Sequence, residues 1–278
     1  MNRAQKQTMK LILAAVGMLW ALDAGAQDVN GDGYQSLLVP IAFGQNQHLP
    51  GAFGTQWSGE VWIYNGSAID IQSPQPGGIC VPSCDISLPR GFRGLWPSLI
   101  SNLNAGAMFH IPAAAGDGVF VNARLLETTR MAQPTGVEVP IVKERDFFTG
   151  ERWLLAVPVG ESARTALRVY DPYARSDTAV VVDFFSPGPD FFTPPGALIH
   201  STVFHPAHDP VAPHTGLLPS PKASIAASFD LATEFPALRA YEFVHIRLTP
   251  VQAGRAYWAM ANVTHNETQH VLLVTSHP

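Results

Sequence analysis

Three groups of residues have types and spacings suited to chemistry. Asp28, Asn30 and Asp32 occupy alternate positions of DVNGDGY, and Gly33 follows. This matches the first half of a calcium loop, where hard oxygen ligands converge and glycine permits the sharp turn. The second half departs from the pattern, because Ser36 stands at the ninth position and Val39 at the twelfth, where a bidentate glutamate belongs. The competing reading is a flexible acidic lead-in to the first strand. His200, His205, His208 and His214, with Asp209 adjacent, form the second group. Imidazoles so spaced bind zinc or copper when their loop folds back on itself. Pro206, Pro210 and Pro213 favour instead an extended loop with solvated histidines. The third group is Cys80 and Cys84, the only cysteines. In an oxidising compartment CVPSC closes a local disulfide across Pro82, provided the two Cα atoms come within about 4.4–6.8 Å. Free thiols and a redox or metal-binding pair are the alternatives. Catalytic pairs usually have two intervening residues and precede a helix.

Other candidates depend on what the fold brings together. Glu138, Glu144 and Asp146 supply carboxylates for a glycosidase pair, which requires two acids to meet across a substrate. No GxSxG elbow, HExxH helix, phosphate-binding glycine loop or dinucleotide fingerprint is present, so no catalytic residue is assigned. Trp57 and Trp62, with Trp96 and Trp153, offer indoles that stack on sugar rings if exposed and pack into a core if not. Asn65, Asn262 and Asn266 lie in glycosylation sequons, which matter only in a eukaryotic secretory pathway.

The elements that must position these residues read as strands. Between 119 and 125, Val119, Val121, Ala123 and Leu125 alternate with Phe120, Asn122 and Arg124, as in a half-buried strand. Thr165, Leu167 and Val169 alternate in the same way with Arg164, Arg168 and Tyr170. The run from Ala179 to Phe185 follows as a hairpin partner or neighbour. Near the C-terminus, Ala240–Leu248, Ala256–Thr264 and Gln269–Thr275 are expected to form a three-strand meander. Earlier strands are expected at Leu37–Phe43, Glu60–Asn65, Ala107–Ile111, Glu138–Val142 and Trp153–Val157. Lys222–Phe235 contains neither Gly nor Pro before its end and is rich in Ala. It reads as a strand followed by a helical turn. Short strands separated by turn signals predict an all-β protein of two antiparallel β-sandwich domains, at 35–130 and 136–278, with the polar MAQPT segment between them.

In style the chain resembles the tandem immunoglobulin-like domains of secreted bacterial proteins. VWIYNGS at Val61–Ser67, TALRVYDP and the terminal ANVTHNETQHVLLVT carry that resemblance. It implies a β-sandwich with a scaffold or interaction role and transfers no functional residue. The inter-sheet disulfide of antibody domains is absent from the pattern.

Compartment follows from the first 26 residues. Arg3, Lys6 and Lys10 precede an uncharged apolar run from Leu11 to Leu22, after which Ala24, Gly25 and Ala26 supply small residues. The run is shorter than the roughly 20 residues of a membrane-spanning helix, so it reads as a cleavable signal with a mature start at Gln27 and a flexible stretch to 34. A buried helix is the alternative. No second long apolar run suggests an integral membrane segment. Cleavage would remove three positive charges and one negative, taking the net charge from −5 to −7. Such a surface repels nucleic acid. Charged residues are only 14% of the chain, while Gly and Pro number 23 and 24, so backbone chemistry rather than charge ends the strands. The expectation is a secreted or periplasmic, non-catalytic protein with a structural, adhesive or envelope-interaction role and a protein or glycan surface partner. No cofactor is expected beyond the calcium or zinc considered above. The alternative is an exported hydrolase or carbohydrate-binding accessory protein.

Overall fold

The computed structural model describes residues 33–41, 49–50, 54–74, 85–95, 106–129, 136–173, 177–188, 195–206, 224–228 and 230–276. The segment 1–26 expected to be a signal, Asp28, Asn30, Asp32, Cys80, Cys84, Trp96, His208 and His214 lie outside them. The protein is all-β, with strands arranged in antiparallel sheets and very little helix. Among the described residues no helix is long and apolar enough to cross a membrane.

In chain order, the first half contains β1 (Tyr34–Val39), β2 (Leu49–Pro50), β3 (Gln56–Asn65), β4 (Ile71–Pro74), β5 (Asp85–Leu88), β6 (Arg93–Leu95), β7 (Ala107–Pro112), β8 (Val119–Glu127), β9 (Gly136–Val139) and β10 (Val142–Lys143). One sheet has the order β10-β1-β7. A second runs β2-β3-β8-β9, with β6 also paired to β3, and β4 and β5 form a two-stranded ribbon. Period-two patterning commits one side of the second sheet to the core. Val61 and Ile63 of β3, Ala123 and Leu125 of β8 and Val139 of β9 are buried with Leu37, Leu38 and Val39 of β1. The polar segment 131–135 separates hydrogen-bonded neighbours, since β9 pairs with β8 and β10 pairs with β1. Residues 136–143 therefore join the sheets of the first half.

The second half contains β11 (Arg152–Pro158), β12 (Ala163–Asp171), β13 (Val180–Phe185), β14 (Leu198–Phe204), β15 (Ser224–Ser228), α1 (Leu231–Glu234), β16 (Phe243–Pro250), β17 (Trp258–His265) and β18 (Val271–Thr275). The expected strand and helical turn before Phe235 are β15 and α1. Asp230 caps that turn, its carboxylate accepting from Thr233 N–H at 3.2 Å. Two sheets, β11-β16-β13-β14 and β15-β12-β17-β18, share one core. Leu154, Val182, Phe184, Ile246 and Leu248 come from the first, and Leu167, Val169, Ala259 and Ala261 from the second.

Two sequence expectations about neighbours are corrected here. β12 and β13 are not a hairpin, because β12 pairs with β15 and β17 while β13 pairs with β14 and β16. The terminal meander is reduced to the β17-β18 hairpin, since β16 lies in the other sheet between β11 and β13. The chain repeatedly crosses the core between sheets, so each sheet is completed by strands distant in sequence.

Candidate ligand-binding face

The outer side of the β3-β8-β9 sheet carries an organised exposed cluster. On β3 the residues that alternate with core-facing Val61 and Ile63 are Glu60, Trp62 and Tyr64. On β8 those alternating with Ala123 and Leu125 are Phe120, Asn122 and Arg124. Antiparallel register sets Tyr64 opposite Phe120, Trp62 opposite Asn122 and Glu60 opposite Arg124, and it then sets Arg124 opposite Glu138 of β9. Trp62 is 43% exposed and Phe120 59%, among the most exposed large apolar side chains described. The Tyr64 and Phe120 rings stack with centroids 6.0 Å apart and planes 21° apart, a cross-strand aromatic pair. Trp62 Nε1–H donates to Glu60 Oε2 at 3.3 Å, which holds the indole along the strand. Asn122 Nδ2–H donates to Glu138 Oε1 at 2.5 Å, fixing an amide and a carboxylate beside the rings.

A tight turn brings a cation to the other flank. Phe92 N–H donates to Pro89 O at 2.8 Å across Arg90 and Gly91. Gly91 has φ +79°, the third-position conformation that type II turns reserve for glycine. Gly91 N–H also donates to Asn65 O at 2.7 Å, and Asn65 N–H donates to Phe92 O at 2.9 Å. The turn is thereby tied to the end of β3, and Arg93 is set opposite Tyr64. The Arg93 guanidinium carbon lies 5.2 Å from the Tyr64 ring centroid, a cation–π contact on an exposed side chain.

Three rows result across the sheet. Arg93, Tyr64 and Phe120 form the first, Trp62 and Asn122 the second, and Glu60, Arg124 and Glu138 the third. Rings occupy one end, hydrogen-bonding side chains the middle, and carboxylates flank a cation at the far end. This arrangement can stack a flat partially apolar ligand and hydrogen-bond its polar edge.

The remaining predicted site residues lie elsewhere. Trp57 belongs to the other parity of β3, half-buried and packed against the first-half core, so it does not join Trp62. Trp153 sits on β11, its ring 5.3 Å from Phe185 and 5.8 Å from the Arg247 guanidinium, which is paired with Asp183 at 2.8 Å. His200 packs against Phe235 and Phe184 at 4.9 and 6.2 Å, and His205 is exposed beyond the end of β14. Among the described residues no group of three or more His, Cys, Asp or Glu side chains is placed to hold a metal. Glu138 lies on the exposed face, whereas Glu144 is buried and accepts from Ser36 N–H and Tyr173 O–H, each at 3.0 Å. Tyr64, Arg93, Asn122 and Glu138 were not assigned to this face from the sequence. The alternation that sets Phe120, Asn122 and Arg124 on one side was readable, but the pairing of β8 with β3 was not. No protein-family model matches the chain, and neither a curated protein nor a solved structure matches it.

Proposed function

We propose that the chain is an exported, non-catalytic binding protein that attaches to a glycan surface through the Trp62 face. The strip of exposed Trp62 and Phe120 with half-buried Tyr64 between them carries this reading. Exposed aromatic rings grouped on one sheet face gain little for folding, and contiguous apolar patches rimmed by polar groups mark interaction sites. Sugars present C–H faces that stack on such rings and hydroxyls that meet an amide and carboxylates, here Asn122, Glu138 and Glu60. A sheet face suits attachment better than hydrolysis, because hydrolysis benefits from a site that excludes water.

The sheets are read as β-sandwich layers, the second pair connected in jelly-roll fashion by repeated crossing between sheets. Export rests on the charged, apolar and small-residue order of residues 1–26, which points to a secreted or periplasmic protein. The Cys80–Cys84 bridge belongs to the same reading, and the proposed binding uses no metal.

The test is retention of the mature protein on a panel of polysaccharides, compared with Trp62→Ala and Phe120→Ala. Losing the burial of one such ring weakens binding by about 1.5–3 kcal/mol, roughly ten- to a hundredfold in Kd. Both side chains are exposed, so circular dichroism should match the wild type and stability should fall by no more than about 1 kcal/mol, the worth of a cross-strand pair. Retention unchanged in both variants, or no retention of the wild type on any polysaccharide, would overturn the proposal.

A further inference from the structure

We infer that this face is polarised for a mostly neutral glycan bearing an isolated carboxylate sugar, with the Arg93 guanidinium as the carboxylate's partner. The inference rests on the glycan reading above and adds the chemistry and direction of the ligand. Arg247 and Arg255 are paired with Asp183 and Asp177, but Arg93 has no acidic partner among the described residues. Among the described residues its guanidinium lies over the Tyr64 ring, in the row that also holds Phe120. That contact holds the guanidinium beside the aromatic strip, and among the described residues no carboxylate pairs with its N–H groups. A planar fork matches a carboxylate with two parallel hydrogen bonds, and this is the geometry an arginine supplies and a lysine does not. A sugar ring seated on Trp62 or Phe120 would bring a carboxylate substituent alongside it.

The opposite end argues against a polyanion. Glu60 and Glu138 flank Arg124 two rows away, about 13 Å along the strands at 3.3 Å per residue. Two carboxylates around one cation repel further acidic sugars and accept hydrogen bonds from hydroxyls. The net charge of −5 adds a general repulsion of polyanions. The ligand is therefore acidic at the Arg93 end and neutral toward Glu60 and Glu138.

The experiment titrates the mature chain with paired oligosaccharides: neutral xylan, mannan and glucan oligomers, and each oligomer carrying a single uronic-acid residue, with polygalacturonate as a third probe. A charge-assisted pair should make the acidic member of a bound pair about tenfold tighter. That advantage should shrink from about 0.05 M to about 0.5 M salt. Arg93→Met should abolish the preference, so that the acidic and neutral members of each pair bind equally, while Arg93→Lys should retain part of it. Equal affinity for both members of every bound pair, or an Arg93→Met variant that keeps the preference, would overturn the inference and leave the glycan reading standing. Tightest binding to polygalacturonate would overturn the isolated-carboxylate claim. Absence of binding to any probe would remove both.

Discussion

Asn65 begins a glycosylation sequon, yet its side chain is fully buried and its bonding capacity is occupied. Nδ2 donates to Ile69 O at 3.0 Å and Leu88 O at 2.7 Å, while Oδ1 accepts from Ser67 N–H at 3.0 Å and Ser67 Oγ–H at 2.6 Å. The Asn-Gly-Ser spacing is thus an Asx turn that leaves β3 and ties it to the end of β5. Asn65→Ala should destabilise the protein by about 2–4 kcal/mol, because buried carbonyls lose their donor, and urea unfolding monitored by tryptophan fluorescence would measure it. A loss under 1 kcal/mol would contradict this account. Asn262 and Asn266 are also engaged: Asn262 Oδ1 accepts from Arg168 Nε at 2.9 Å, and Asn266 Nδ2 donates to Glu161 O at 2.6 Å. Trp57 and Trp62 show how much a residue type leaves open. An odd spacing of five within one strand puts them on opposite faces, so the parity that separates them was legible once the strand began before Trp57 rather than at Glu60.

β11 departs from strict alternation. Leu154 and Val157 both face the core although three residues apart, and the register against β16 shifts between them. Ala156 lies in the inserted stretch with φ 50°, and its N–H donates to His245 Nδ1 at 3.3 Å. A non-glycine residue there is strained, because Cβ crowds the carbonyl. Ala156→Gly should stabilise the protein by about 0.5–1 kcal/mol and Ala156→Val should destabilise it, both read from urea midpoints at unchanged m-value. The opposite order would show that the bulge is not the strained point. Strand existence was legible at β11, as it was for β3, β8, β12 and β17, because each has a short apolar run, at period two in β8 and β12. The bulge was not, since RWLLAV carries no glycine to mark it. Neither was pairing. Adjacent strands in sequence were expected to be adjacent in space, whereas β12 and β13 belong to different sheets. A strand's partner depends on which apolar faces meet across the core, and period-two patterning describes only one strand at a time.

β12 is buried along nearly its whole length, and this connects the two halves. Leu167 and Val169 face the second-half core, while Tyr170 on the opposite side joins the first-half core with Trp258 and Met260 of β17. The alternation of Arg164, Arg168 and Tyr170 suggested a solvent-facing side, but Arg168 is buried with Nε donating to Asn262 Oδ1, and Tyr170 is inaccessible. The Tyr170 O–H donates to Pro40 O at 2.5 Å, linking a strand of the second half to the residue following β1. Burial raises its pKa from 10.0 to about 12, against a lesser lowering by Arg168. A phenol whose folded pKa is raised favours the native state while it stays protonated. Its contribution is complete below pH 10 and is lost between pH 10 and about 12, because the unfolded chain releases the proton first. That loss amounts to roughly 2–3 kcal/mol. Tyr170→Phe removes both the hydrogen bond and the titration. It should cost about 1–2 kcal/mol at pH 7, where the Pro40 carbonyl loses its donor, and should then show a shallower fall in stability above pH 10 than the wild type. Tyr257, whose pKa burial also raises, is present in both proteins, so the difference between the two unfolding curves isolates Tyr170. Parallel curves from pH 9 to 11 would mean that the phenol is hydrated in solution and that the two halves do not share a closed core around it.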